Sequence, residues 1–426
     1  MNIKAIDSCR ICGSKELTPV INLGSQLLAS VTVSHENQDR YPSQAVPIEV
    51  VRCNPAKNKN ACGLVQLRHT FPGDLIYREY WYRSGINQTM RDALKDVIEG
   101  AGHFVDLIPG DTVVDIGCND GTLLNSYTQN FIDRIGFDPV ENIRGEKENF
   151  RRVVDFFNRR SFEKACPTKK AKVITSIAMF YDLDDPNTFV SDIASILHTD
   201  GVWVVQMADL PEMLEQNMFD QIFHEHLEYY HIRPFRYLVE RHGLKIVDME
   251  KNTVNGSSYR FYLRKKEGSE PSAEANVRLN TFFNEEKKLK LDEEEPYKKF
   301  RENSERIRDK LTTFIRTENK KGKKTFVYGA SSKGNVILQY CSLTVHDIPY
   351  AADRNSHKAG CWTVGSNIPI ISEEEARMKK PDYFLVLPYF FMDEMIKREF
   401  QFLKEGGKFI VPMPQVHCLD SSILKK

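Results

Sequence analysis

Four cysteines fall within the first 62 residues of this 426-residue chain, two in the turn Cys9-Arg10-Ile11-Cys12-Gly13 and two at Cys53 and Cys62. A CxxC turn lets two thiolates reach one ion, and the glycine after it relaxes the turn. The second half is looser, with Asn54–Ala61 lying between its cysteines. That insert is rich in Lys and Asn, so it can loop out and leave the cysteine ends close. Four thiolates fill a tetrahedron and leave no open position, so Cys9, Cys12, Cys53 and Cys62 predict a structural zinc site. No His or carboxylate is paired into the cluster, which argues against a catalytic metal. Free buried thiols are the alternative. The region to about residue 75 has short strand-like runs such as Val46–Val51 and no long helical period.

Beyond it the texture changes. Thr112–Ile116, Lys172–Ile177 and Val202–Met207 read as buried strands, with a helical pattern such as Thr188–Leu197 between them. Strands alternating with helices indicate a parallel sheet covered on both faces. Residues 272–322 are highly charged, with apolar residues recurring from Leu279 to Ile315. They read as one or two amphipathic helices, most simply a solvated connector. Alternation then resumes, with strands at Lys324–Tyr328, Tyr383–Leu387 and Phe409–Pro412 and helices at Asn335–Cys341 and Met392–Leu403. The expected class is therefore α/β in three parts. A zinc-binding domain spans 1–80 and a Rossmann-like domain 81–268. A second Rossmann-like α/β domain spans 269–426 and carries the helical linker.

Asp115-Ile116-Gly117-Cys118-Asn119-Asp120-Gly121 ends a predicted strand and opens a helix. Glycines there let backbone approach a ligand, and a helix start favours negative groups. The spacing is not the GxGxxG of dinucleotide binders. It is the pattern of S-adenosylmethionine-dependent methyltransferases, in which the turn holds the amino-acid end of the cofactor. Asp138 would end the second strand and accept hydrogen bonds from ribose hydroxyls. Asp155 would meet the adenine amino group, and Phe156 the ring face. Another kind of nucleotide site and a plain tight turn are the alternatives.

Phe223-His224-Glu225-His226-Leu227-Glu228-Tyr229-Tyr230-His231 is dense in titratable groups. Histidine suits proton transfer near neutral pH, and a neighbouring carboxylate can orient it. The HxH spacing does not collect two metal ligands on one helical face. A structural polar cluster is the alternative.

The 59 basic and 59 acidic residues cancel, which argues against a nucleic-acid partner held by a wide basic field. No run is long and apolar enough for a membrane span, and the first residues have no apolar core of a signal peptide. Nine cysteines, unevenly spread, suit a reducing cytoplasm better than a disulfide framework. A cytoplasmic monomer is the expectation.

Taken in order, these pieces resemble a known family, the sugar C-methyltransferases that act on nucleotide-linked keto-deoxysugars. The resemblance covers nearly the whole chain. It runs from the CxxCG turn through Cys62–Leu67, Tyr80–Gly85, Asn87–Met90, Asp115–Leu124, Ala178–Pro186 and His224–Tyr230. It ends with Tyr328–Asn335, Gly406-Gly407-Lys408 and Pro412-Met413-Pro414. It implies a zinc domain, a methyltransferase domain binding S-adenosylmethionine and a C-terminal Rossmann-like domain, with the sugar nucleotide in the cleft between them.

The resemblance also implies roles. His226 is the general base, with Glu225 beside it, and Tyr82 touches the sugar. Asn119 and Gly121 join Asp115, Gly117 and Asp138 around the cofactor. Tyr80, Ser84, Asn87, His224, Tyr229, Tyr230, Ser332 and Asn335 face the substrate, and Lys333 meets its diphosphate. The expected partner is a thymidine-diphosphate sugar, methylated at C3 beside a 4-keto group. An O- or N-methyltransferase acting on another small molecule is the alternative. One departure stands out. The family has Tyr directly before His-Glu-His, and here that position is Phe223. The missing hydroxyl would have to come from Tyr229, Tyr230 or Tyr82, or the sugar substituent differs.

Overall fold

The computed structural model describes residues 3–36, 38, 44–78, 82–145 and 148–425. Near the N-terminus, β1 (Leu17–Gln26), β2 (Val46–Cys53) and β3 (Val65–Leu67) form an antiparallel sheet. Its fourth strand is Glu228–Tyr229, from far along the chain, with Tyr229 opposite Val65 and Glu228 opposite Gln66. The inward residues Ile48, Val50, Val65 and Leu67 are almost fully buried.

The central sheet has seven strands: β4 (Thr112–Ile116), β5 (Asp133–Phe137), β6 (Arg151–Val153), β7 (Ala171–Ile177), β8 (Leu197–Ala208), β9 (Leu244–Asn252) and β10 (Ser258–Lys265). Their order is β9-β10-β8-β7-β4-β5-β6. β4 to β8 are parallel to their neighbours, and β10 enters antiparallel between β8 and β9. β4 and β7 are rich in apolar residues and almost wholly buried because both faces are covered. The helices α1 (Gln88–Gly102), α2 (Thr122–Asn125), α3 (Pro186–Ile196) and α4 (Ile232–Arg241) belong to this unit. Strand order reverses at β4 and β7, and a ligand crevice forms outside the carboxyl ends at such a point.

Two helices follow, α5 (Ala273–Lys288) and α6 (Glu295–Lys320). α6 is more than a solvated connector. Tyr297, Phe300, Ser304, Ile307, Leu311 and Ile315 recur every three or four residues and are all buried. They join one core with Val20 and Ile48 of the N-terminal sheet, Phe219 and Ile222 before His-Glu-His, and Val327 and Leu385 of the C-terminal sheet.

The C-terminal sheet contains β11 (Thr325–Tyr328), β12 (Ala351–Asp353), β13 (Ile370–Ser372), β14 (Tyr383–Val386), β15 (Lys408–Val411) and β16 (His417–Leu419). Their order is β13-β12-β11-β14-β15-β16, parallel except for the last pair. The helix α7 (Ser332–Tyr340) follows β11. The expected helix Met392–Leu403 is two shorter ones, Met392–Arg398 and Phe400–Lys404, interrupted at Glu399. Glu399 is buried by Arg377 and the Tyr328 hydroxyl. The three parts are stitched together. Strand Thr32–Val33 pairs with Trp362–Thr363, and Gln339 holds both backbone groups of Leu27.

Candidate active site

The four cysteine thiols meet at one point. Sγ of Cys9 is 3.5 Å from that of Cys62, and Sγ of Cys12 is 3.4 Å from that of Cys53. All four lie within 4.8 Å of one another. Zinc–sulfur bonds of about 2.3 Å in a tetrahedron put sulfurs about 3.8 Å apart, so the residues fit the ion. The Asn54–Ala61 insert folds out as a turn held by Asn58 N–H to Asn54 O and Ala61 N–H to Asn58 O. The knuckle is clamped from outside. Asn187 donates to the carbonyls of Arg10 and Ile11, Arg241 donates to Ile11, and His231 Nε2 meets Gly63 O. Zinc held by these four thiolates would have no open position and would serve to order the N-terminal sheet.

The carboxyl ends of β4, β5, β7 and β8 open on a cavity of about 910 Å³, large enough for a cofactor and a substrate together. Asp115, Gly117, Asn119, Asp138 and Phe156 line it. Gly117 has φ +76°, and a Cβ there would meet the Met179 side chain at 3.0 Å, so only glycine keeps the turn open. Asp138 accepts from the backbone N–H of Asn119 at 2.7 Å and of Val140 at 2.9 Å. Each oxygen keeps a lone pair for a ribose hydroxyl. Asp115 is buried and accepts from the Thr175 hydroxyl at 2.6 Å, and burial lifts its carboxyl to about 7. The Arg78 guanidinium lies 5.5 Å from the Phe156 ring centroid, leaving a half-exposed aromatic face suited to a purine. These residues fit S-adenosylmethionine.

Two of the expected cofactor residues lie outside the wall. Gly121 is not in the wall. It caps α2 at φ +79°, and a Cβ there would strike Phe150 at 2.2 Å, so its role is packing. Asp155 is exposed outside the wall and accepts from the Phe156 N–H.

Across the cavity lies the His-Glu-His segment. His226 Nδ1 stands 2.9 Å from the carbonyl oxygen of Gln221. A carbonyl can only accept, so the proton sits on Nδ1 and the Nε2 lone pair is free. Phe223 stacks on the His226 ring at 4.0 Å, and Tyr181 meets its edge at 4.4 Å. Burial and the positive charge of Lys333 hold the imidazole down at about 3, so it is neutral at physiological pH. His224 Nε2 is tied to Val46 O at 3.2 Å, and burial lowers its ring to about 4. The Glu225 carboxylate lies beside Ser30 with no closed hydrogen bond, and burial raises its pKa.

Tyr82 and Ser84 are in the wall, and the Ser84 N–H donates to Asn119 Oδ1 at 2.9 Å. Ser331, Ser332 and Lys333 join it from the start of α7. Tyr80 lies outside the described residues. Four of the expected substrate residues lie outside the wall. Tyr229 lies behind the wall in the strand paired with Val65. Tyr230 is in the aromatic core against Phe180 and Phe235, its hydroxyl on Glu228. Asn87 spends its side chain capping α1 through the Met90 N–H. Asn335 is buried and donates to Ala29 O at 2.7 Å. Sequence reasoning gave no role to three wall residues. Tyr181 and Asp182 lie inside the Ala178–Pro186 block that carried the resemblance, so the signal was present. Tyr77, whose hydroxyl donates to Glu225 O, has no sequence signal.

A four-cysteine knuckle fused to a crevice that fits S-adenosylmethionine, with His226 in the same wall, defines a class, the zinc-containing S-adenosylmethionine-dependent methyltransferases. Three family models agree in order: a zinc binding domain over residues 9–77, a methyltransferase domain over 86–249, and a C-methyltransferase C-terminal domain over 253–414. The chain is 30% identical over 425 residues to the C-methyltransferase NovU of Streptomyces niveus, covering 98% of each. The chain belongs to this C-methyltransferase family. Among solved structures, a methyltransferase from Clostridium acetobutylicum is 12% identical with a TM-score of 0.31, covering 41% of this chain and 92% of its own. The N-methyltransferase NodS of Bradyrhizobium japonicum is 11% identical with a TM-score of 0.33, covering 44% and 99%.

Proposed function

We propose that this C-methyltransferase places a methyl group on C3 of a nucleotide-linked 4-keto-6-deoxysugar, with thymidine diphosphate as the nucleotide. The observation that carries the reading is the pinned tautomer of His226, whose free Nε2 shares one cavity with the Asp115–Asn119 turn. Forming a carbon–carbon bond requires a carbon acid, and a carbonyl next to C3 makes its C–H acidic. S-adenosylmethionine, when bound, supplies a methyl already activated as a sulfonium.

The chain's own residues then have distinct tasks. Asp115, Gly117, Asn119, Asp138 and Phe156 hold the cofactor so that its methyl faces the sugar. Tyr82, Ser84, His224 and Ser332 orient the sugar nucleotide. His226 Nε2 takes the C3 proton, and Gln221 O steadies the imidazolium that results. The C3–H electron pair becomes the nucleophile for the methyl carbon. Much of the acceleration comes from orientation, since carbon, methyl and sulfur must be in line. Phe223 closes one face of His226 and keeps the ring dry. The reading is tested by C3 deuterium exchange in heavy water without cofactor. The intact enzyme exchanges C3–H of a thymidine-diphosphate 4-keto-6-deoxysugar, and His226→Asn does not.

A further inference from the structure

Lys333 stands where the C-terminal domain reaches the reaction chamber. β11 ends at Tyr328, the chain turns through Gly329, and Lys333 falls in the first turn of α7. Its Nζ lies 4.3 Å from the ring centroid of Phe390. The adjacent Tyr389 hydroxyl contacts the Asp220 carboxylate at 3.0 and 3.2 Å. Burial lowers the pKa of the Lys333 ammonium, and the completely buried Asp220 carboxylate opposes that shift and helps to keep the charge. The next residue, Gln221, is the one whose carbonyl pins His226. The short segment Asp220-Gln221 therefore carries both the counter-ion of the lysine and the anchor of the base. Gln221, His226, Lys333 and Phe390 share one cavity wall.

A cation beside a histidine is unfavourable when that histidine has to store a proton. It is useful when removal of the proton leaves an anion next to it. Phe223 brings no hydroxyl to the region and Tyr229 and Tyr230 are outside the wall, so Tyr77, Tyr82 and Tyr181 are the tyrosines that line it, and none of them is a cation. We propose that Lys333 is a catalytic residue whose ammonium faces the C4 oxygen and balances the negative charge that develops there. This rests on His226 acting as base on a 4-keto sugar. As His226 takes the C3 proton, the C–H pair becomes the C3–C4 double bond and the carbonyl π pair moves onto oxygen. Formation of the new carbon–carbon bond would break the methyl–sulfur bond with its pair left on sulfur, while the oxygen pair re-forms the carbonyl and the negative charge on oxygen disappears. Lys333 thus belongs at the ketone, and the diphosphate is left to the serines at the start of α7.

Lys333→Met and Lys333→Arg separate the two positions, with thymidine-diphosphate 4-keto-6-deoxyglucose as the probe. With the lysine at the ketone, Lys333→Met loses about 10²–10³ in kcat with little change in KM. Its cofactor-free C3 exchange slows in parallel. The acid limb of kcat/KM moves up in pH, because the cation that depresses His226 is gone. Lys333→Arg recovers part of the rate. Thymidine diphosphate alone binds the intact and Met proteins equally by calorimetry. A Met variant with normal kcat and exchange, but raised KM and weakened thymidine diphosphate binding, overturns the proposal in favour of a diphosphate contact. If the Met variant does not fold, Lys333→Arg decides on the same two readouts. Absence of exchange in the intact enzyme removes the His226 reading itself, whereas normal exchange unaffected by Lys333 removes only this proposal.

Discussion

His226 is held in the tautomer that leaves Nε2 to accept a proton, and its neighbours keep it unprotonated. His226→Asn should cost about 10²–10⁴ in kcat while cofactor affinity stays close to normal. Full activity in that variant would remove the base assignment. Glu225→Gln should cost less, because Glu225 contacts no ring nitrogen of His226 and its burial already favours the protonated carboxyl. The pH dependence follows from sign. A depressed histidine pKa means the neutral form persists to lower pH, so the base is present above about 3 and not only above an ordinary value of about 6.5. The kcat/KM profile should therefore show no fall between about pH 7 and pH 5.5 from this group. An inflection near 6.5 that disappears in His226→Asn would contradict the placement.

At the level of elements, the cofactor turn and α6 make different demands. Gly117→Ala puts a Cβ at 3.0 Å from Met179 at a backbone angle that disfavours alanine. Cofactor affinity should fall at least about tenfold with the fold intact, measured by calorimetry. Leu311 is fully buried at the junction of the N- and C-terminal domains, so Leu311→Ala should cost about 2–5 kcal/mol in urea unfolding. A cost below about 0.5 kcal/mol would mean that α6 is a mere connector.

These two elements also show how far sequence reading reaches. The turn was legible because β4 carries Val113, Val114 and Ile116 around Asp115 and the glycines follow directly. The four cysteines were legible because CxxC chemistry is local. The depth of α6 was not, because a stripe of period 3.6 shows that one face is apolar and not what covers it. Tyr229 and Tyr230 were misplaced for a related reason. Alternation along a strand sends neighbours to opposite faces, and only the pairing with Val65 shows where those faces look. Asn87 and Asn335 have side chains suited to a ligand, but a helix cap and the Ala29 carbonyl had claimed them.

For the whole molecule, the cysteine knuckle and the proposed base, His226, are parts of one mechanical unit. Cys62 leads into β3, β3 pairs with Glu228–Tyr229, and the Leu67 N–H donates to Leu227 O, one residue from His226. Stripping zinc with a chelator, or replacing Cys12 with Ser, should lower the melting temperature and abolish turnover. Cofactor binding, which depends on β4 and β5, should survive better. Equal loss of both would mean the central sheet does not stand without the knuckle. The cavity lies at the meeting of three parts, with cofactor residues from the central sheet, the base from the segment completing the N-terminal sheet, and Lys333 from the C-terminal domain. The central claim is that this junction methylates carbon next to a ketone. Incubation with S-adenosylmethionine and thymidine-diphosphate 4-keto-6-deoxyglucose, followed by mass and carbon NMR analysis, tests it most directly. The account predicts a gain of one methylene with the new methyl on C3, and a methyl found on oxygen or nitrogen would contradict it.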